Sequence, residues 1–251
     1  MRYLVAIPVF NEASTLTNVL AEVRRYATDI LVVNDGSTDD TRRLLATEPY
    51  VQTIHHNHNR GYGASLIDAF AYAQTKNYDW IITMDCDRQH EADQIPDFLH
   101  VAGKNKVDII SGSRYLHPEK GDSMPPADRQ AINQRITNLL NELLDLYITD
   151  AFCGFKAYRI ASLASLRLTV PGYGMPLQLW VQAMRAGLHI AEIPVRLIYN
   201  DVKRTFGETM DDPDTRMLYY YDVLVHELAQ SANEPRPLVD EIRPTGVPTS
   251  Y

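Results

Sequence analysis

The chain has 251 residues, 45% of them hydrophobic, enough for a sizeable core in one large domain or two small ones. Lys and Arg number 24 against 32 Asp and Glu, a formal net charge of −8, which argues against a nucleic-acid partner and requires any anionic substrate to be met by locally placed Arg and Lys. Cys86 and Cys153 make no disulfide framework, no apolar stretch approaches the roughly 18–20 residues needed to cross a bilayer, and no basic leader precedes the first strand. The expectation is a cytoplasmic protein, soluble or peripheral on the cytoplasmic face of a membrane.

Strand and helix patterns alternate along the first half. Residues 3–7 read as a buried strand stopped by Pro8, and Leu16, Val19, Leu20 and Val23 follow at helical spacing. A second strand covers 30–34, and a helix over 39–46 starts at Ser37 and Asp40, a capping-box-like pair. A strand over 51–55, a helix over 63–76 and a strand ending at Asp85 come next, then a helix over 95–102 and a strand over 107–112. This order predicts an α/β fold, a Rossmann-like, mostly parallel sheet flanked by helices, with ligands beyond the carboxyl ends of the strands.

The second half is less regular. Residues 117–128, rich in Pro, Gly and charge, read as a mobile loop. Ile132, Ile136, Leu139, Leu140, Leu143 and Leu144 form a helical stripe headed by Arg129 and Arg135; it reads as core or as a face that meets lipid. A helix over 214–229 has Met217, Tyr220, Tyr221, Leu224 and Leu228 on one side, and the proline-rich 231–251 segment reads as a disordered or surface-draped tail.

Chemistry concentrates at strand ends. The run Trp80-Ile81-Ile82-Thr83-Met84 leads into Asp85-Cys86-Asp87, with Gln89 after it. Carboxylates placed so can offer oxygens to a divalent ion that also grips a diphosphate, although two acids at a strand end are more often a turn or a helix cap. Asp35, ending the second strand, can accept hydrogen bonds from a ligand or cap the helix after Ser37.

Several blocks carry a resemblance. Pro8-Val9-Phe10-Asn11-Glu12, Asn34-Asp35-Gly36-Ser37, Arg60-Gly61-Tyr62-Gly63 and Asp85-Cys86-Asp87-Arg88-Gln89-His90 resemble family 2 glycosyltransferases of the GT-A fold. Ser111-Gly112-Ser113-Arg114-Tyr115, Asp150-Ala151-Phe152-Cys153-Gly154-Phe155-Lys156, Glu192-Ile193-Pro194 and Arg204-Thr205-Phe206-Gly207 are similar to the branch that glycosylates dolichyl and other polyprenyl phosphates. The resemblance implies one GT-A domain over 1–230, with a nucleotide-sugar half to 115 and an acceptor half from 116. It implies inverting transfer of a hexose from a UDP- or GDP-sugar to a polyprenyl phosphate, with Mg²⁺ or Mn²⁺. Pro8, Phe10, Glu12, Asp35, Asp85 and Arg204 would bind the nucleotide sugar, and Asp85, Asp87 and Gln89 the metal. Asp87, Asp150, Arg114 and Arg204 are the expected catalytic set, and Arg114, Arg129 and Arg135 the expected acceptor contacts.

Some features depart from that pattern. Gln178 stands where hydroxyl-glycosylating relatives often have an acidic base; a phosphate acceptor needs none, and Asp150 is a second candidate base. Thr209-Met210 replaces Ser-Lys, and Asn133 replaces a serine after Arg129. Gly61 and Gly63 lack the third glycine of a dinucleotide fingerprint. His55, His56 and His58 read as surface residues rather than a metal site, and Cys153 as a packing residue. A family 2 enzyme acting on a hydroxyl of a soluble acceptor or glycan, and a non-catalytic nucleotide-sugar-binding protein, stay open as alternatives.

Overall fold

The computed structural model describes residues 1–117, 125–198 and 210–232. Seven strands form one sheet in the order β3-β2-β1-β4-β6-β5-β7. They are β1 Tyr3–Val9, β2 Ile30–Asn34, β3 Val51–His55, β4 Trp80–Thr83, β5 Ile109–Ser113, β6 Lys156–Arg159 and β7 Ile190–Pro194. All neighbours pair parallel except β6, which runs antiparallel between β4 and β5. The eight α-helices of the described residues are α1 Leu16–Val23, α2 Thr41–Leu45, α3 Tyr62–Thr75, α4 Ile95–Gly103, α5 Ala127–Leu144, α6 Ile160–Leu163, α7 Met175–Arg185 and α8 Pro213–Ala232.

The apolar runs of β1 and β2 are continuous because both sheet faces are covered. Leu4 and Ala6 of β1 join one core with α3, α5, α7 and α8. Val5, Ile7 and Val9 join the other with α1 and α4.

Pro8 does not stop β1. It pairs with Val33 of β2, and the strand runs on to Val9. Val9 O accepts from Asp35 N on the β2 side, while Ala6 O accepts from Met84 N on the β4 side. Alternation turns the edge of Pro8 that lacks an N–H toward β4, whose pairing has already ended at Ala6–Thr83, so no ladder bond is lost.

Other boundaries differ from the sequence reading. α2 starts only at Thr41, whose N–H is taken by Asp39 Oδ1 (2.9 Å). Ser37 caps nothing; its hydroxyl accepts from Asn11 N (2.9 Å). α5 reaches back to Ala127, inside the segment expected as loop, and Leu143 at its far end is 52% exposed rather than core. The tail expected over 231–251 lies outside the described residues from 233 onward, and α8 continues to Ala232. No helix of the described residues is long and apolar enough to cross a membrane.

Candidate active site

The carboxyl end of β4 turns sharply. Cys86 is buried, while the flanking Asp85 and Asp87 stay partly exposed, and Arg88 takes a left-handed conformation (φ 62°). Asp87 Oδ1 accepts Gln89 N (3.0 Å), and Asp85 N donates to His90 Nδ1 (3.0 Å). An imidazole that accepts at Nδ1 carries its proton at Nε2. His90 is buried against Phe155 (ring centroids 5.2 Å), and that burial lowers its pKa to about 4, so it stays neutral. Its Nε2 lies 3.9 Å from Asp85 Oδ2 and 4.0 Å from Cys153 Sγ.

The loop before β6 closes on Asp85 from behind. Thr83 Oγ1 donates to Gly154 O (2.8 Å), and a β-carbon at Gly154 would lie 2.5 and 2.8 Å from the two carboxylate oxygens of Asp85.

At the ends of β1 and β2, two loops are buttoned together. Asn11 Oδ1 accepts from Thr38 N (2.8 Å), Glu12 N donates to Thr41 Oγ1 (3.0 Å), and Thr15 Oγ1 donates to Glu12 Oε2 (2.9 Å). This leaves Phe10 44% exposed beyond the strand end. Asp35 is buried and caps no helix. Its Oδ1 receives Arg60 N (2.7 Å) and lies 2.6 Å from His56 Nδ1, and its Oδ2 receives Gly61 N (2.8 Å). His56 is therefore no surface residue: its Nε2 faces Asp68 Oδ2 at 2.9 Å, which Arg60 Nη1 also reaches at 2.7 Å. Gly61 (φ 102°) needs the left-handed region, and a β-carbon there would meet Pro171 O at 2.4 Å.

Past β5, Arg114 grips Asp150 with Nε (2.7 Å) and Nη2 (2.9 Å). Asn133 Nδ2 donates to Asp150 Oδ1 (2.8 Å), and Thr137, itself donating to Asn133, accepts Ala151 N (3.1 Å). Glu192 fixes the segment from the other side by accepting Thr149 N (2.8 Å) and Asp150 N (3.2 Å). Burial alone would raise the Asp150 carboxyl; the Arg114 charge, with hydrogen bonds from Arg114 and Asn133, outweighs it and holds the group well below the usual carboxylate range. At 0% exposure, ionised and clamped, Asp150 is poorly suited to take a proton from a substrate, which counts against the base role expected of it.

Gln178 is buried too. Its Oε1 accepts Thr169 N (2.7 Å) and Val170 N (3.0 Å), and its Nε2 donates to Glu227 Oε2 (2.8 Å). The position needs an acceptor on one side and a donor on the other, which an amide supplies and a carboxylate does not. Its identity thus follows from packing and says little about the acceptor.

Of the expected acceptor arginines, Arg129 is half-buried on the first turns of α5, and Arg135 is exposed with its guanidinium 5.7 Å from the Tyr221 ring. Arg204 lies outside the described residues. The sequence reading gave no role to His90 and Gly154, although both sit inside quoted blocks; it set His56 aside as a surface residue and noted Asn133 only as a departure from the family pattern.

Asp85, Asp87 and Gln89 carry hard oxygen donors of the kind that Mg²⁺ or Mn²⁺ takes, and are the residues that could hold such an ion. No group of three or more His, Cys, Asp or Glu among the described residues forms a closed cage, so such an ion would need substrate oxygens or water as well.

The family model described as Glycosyl transferase family 2 matches residues 4–167. The chain is 30% identical over 220 residues to an undecaprenyl-phosphate mannosyltransferase of Micrococcus luteus, covering 83% of this chain and 87% of that one. It is 28% identical to a polyprenol monophosphomannose synthase of Mycolicibacterium smegmatis, over 77% and 76% of the two chains. Among solved structures, glucosyl-3-phosphoglycerate synthase of Mycobacterium tuberculosis, bound to Mn²⁺, UDP and glucosyl-3-phosphoglycerate, aligns with a TM-score of 0.70 at 18% identity, covering 91% of this chain and 80% of that one. That likeness is one of fold, and the fold is GT-A.

Proposed function

The chain belongs to glycosyl transferase family 2, and on that premise we propose that it moves a hexose from a UDP- or GDP-sugar to a polyprenyl phosphate, with inversion at the anomeric carbon. In the transfer, the bond from the anomeric carbon to the donor's diphosphate breaks and a bond to an acceptor phosphate oxygen forms. A phosphate monoester, with a second pKa of about 6, is largely dianionic at neutral pH and attacks without surrendering a proton. The observation that carries this reading is the state of Asp150, the acceptor-side group expected as a base. Its carboxylate is spent on Arg114 and Asn133 and leaves no base for a hydroxyl acceptor.

In this reading Asp85, Asp87 and Gln89 would hold Mg²⁺ or Mn²⁺, which would supply Lewis-acid neutralisation of charge on the departing nucleoside diphosphate. Pro8, Phe10, Glu12 and Asp35 line the nucleotide end. Arg114, oriented by Asp150, presents its guanidinium to phosphate charge, with Arg129, Arg135 and Arg204 as further cations. The enzyme works at a membrane surface, where its acceptor resides.

A thermal-shift panel of UDP- and GDP-sugars with and without Mn²⁺ tests the reading. A ligand at 100 times its Kd stabilises by about 2.7 kcal/mol. One nucleotide series should raise the midpoint more with Mn²⁺ than without, and Asp87→Ala should lose that increment while keeping its fold. Stabilisation by no nucleotide sugar overturns the reading.

A further inference from the structure

We infer that Gly154 is a positioning residue for Asp85: the missing β-carbon is the space in which the Asp85 carboxylate sits, so this glycine sets the aim of one proposed metal ligand. The inference rests on the metal reading above.

A glycine can be required by backbone conformation or by space. Gly154 is outside the positive-φ region occupied by Gly36, Gly61 and Gly187, so an alanine would meet no backbone strain there. Space is the requirement. A β-carbon at Gly154 would lie 2.5 Å from Asp85 Oδ2, 2.8 Å from Oδ1 and 2.9 Å from Cγ, all closer than real β-carbons approach their neighbours.

The backbone at 154 is poorly placed to retreat. Gly154 O is held by Thr83 Oγ1 at 2.8 Å, Lys156 Nζ donates to the carbonyl of Cys153, and the next residue, Phe155, is fully buried against Phe98 with ring centroids 4.4 Å apart. Asp85, 27% exposed on a short side chain, is the partner able to move. The antiparallel strand β6, inserted beside β4, thus brings a wall from the acceptor half against a carboxylate of the nucleotide half.

The test is Mn²⁺ binding, read by the loss of the free-ion electron paramagnetic resonance signal, with UDP or GDP present, whichever stabilises the parent. Gly154→Ala should raise the apparent Kd for Mn²⁺ at least tenfold, with metal-free nucleotide binding within twofold of the parent. Gly103→Ala, where a β-carbon meets nothing within 4 Å, should leave both unchanged. In an Asp85→Ala background, adding Gly154→Ala should change Mn²⁺ binding no further. Should Gly154→Ala fold poorly, recovery of folded protein in the Asp85→Ala/Gly154→Ala double variant supports the inference, and no recovery overturns it. Parental Mn²⁺ affinity in a folded Gly154→Ala protein overturns this inference alone. A parent that binds no Mn²⁺ with either nucleotide removes the metal reading, and this inference with it.

Discussion

Asp35 Oδ1 lies 2.6 Å from His56 Nδ1, joining the end of β2 to the residue that follows β3. Through the same carboxylate, Arg60 N and Gly61 N are drawn in, so the loop leading into α3 is built around Asp35. Asp68 on α3 completes the arrangement from the far side of the imidazole. His56 therefore fixes the conformation of a carboxylate proposed to meet the nucleotide.

His56→Ala should weaken nucleotide binding without removing the metal response. Leaving a buried polar group without its partner costs about 1–3 kcal/mol; carried in full into binding, that is roughly 5- to 150-fold in Kd. Calorimetric titration with UDP and GDP checks this; a parental Kd would detach His56 from the nucleotide pocket.

Asp150→Asn should destabilise the fold as well as the reaction, because it leaves the partly buried Arg114 charge without its counter-ion, at a cost below the about 3–5 kcal/mol of breaking a fully buried pair. The pH dependence has a definite sign. The folded-state pKa of Asp150 is depressed below its ordinary value of 3.8, so its contribution is fully present above the ordinary carboxylate range and is lost as pH falls through that range toward the folded value. The stability gap between parent and Asp150→Asn, measured by urea unfolding, should be widest near pH 7 and shrink below about pH 4. A gap that grew on acidification would contradict the pairing.

Gln178→Glu should supply no base. It would set a second carboxylate against Glu227 and abolish the donor that Glu227 now accepts from. A loss of about 2 kcal/mol is expected, some 4–8 °C in unfolding midpoint for a chain of this size. Gained transfer to hydroxyl acceptors would show that the side chain reaches substrate after all.

Arg114→Lys should not rescue Arg114→Ala. The Asp150 grip uses two nitrogens of a planar fork, and an ammonium cannot hold both oxygens and still present a donor edge. A fall in kcat/KM of at least about tenfold is expected for the lysine variant, from lost charge-assisted hydrogen bonds of about 1.5–3 kcal/mol.

Periodicity and strand-end chemistry made the first half of the fold legible. The runs that became β1, β2 and β4 are apolar throughout because helices cover both faces, and the acids that follow them mark the site side of the sheet. The strand β6 was not readable as such, since Lys156-Ala157-Tyr158-Arg159 is short, ends in charges and has its lysine buried by tertiary packing. Which polar residues serve the site and which serve the fold was equally hidden. Asp150 looks catalytic in a linear motif and Gln178 looks like a sign of the acceptor, yet their partners, Arg114 and Glu227, come from distant segments. Gly154 reads as an ordinary glycine until β6 is laid beside β4.

The most direct test of the central claim is transfer of radiolabelled sugar, in Mn²⁺, from the nucleotide sugar that stabilises the protein to a polyprenyl phosphate and, in parallel, to the matching polyprenol. Label should pass to the phosphate and not to the alcohol, and Asp87→Ala should abolish it. Equal transfer to the free alcohol, or transfer only to water-soluble glycans, would contradict the account.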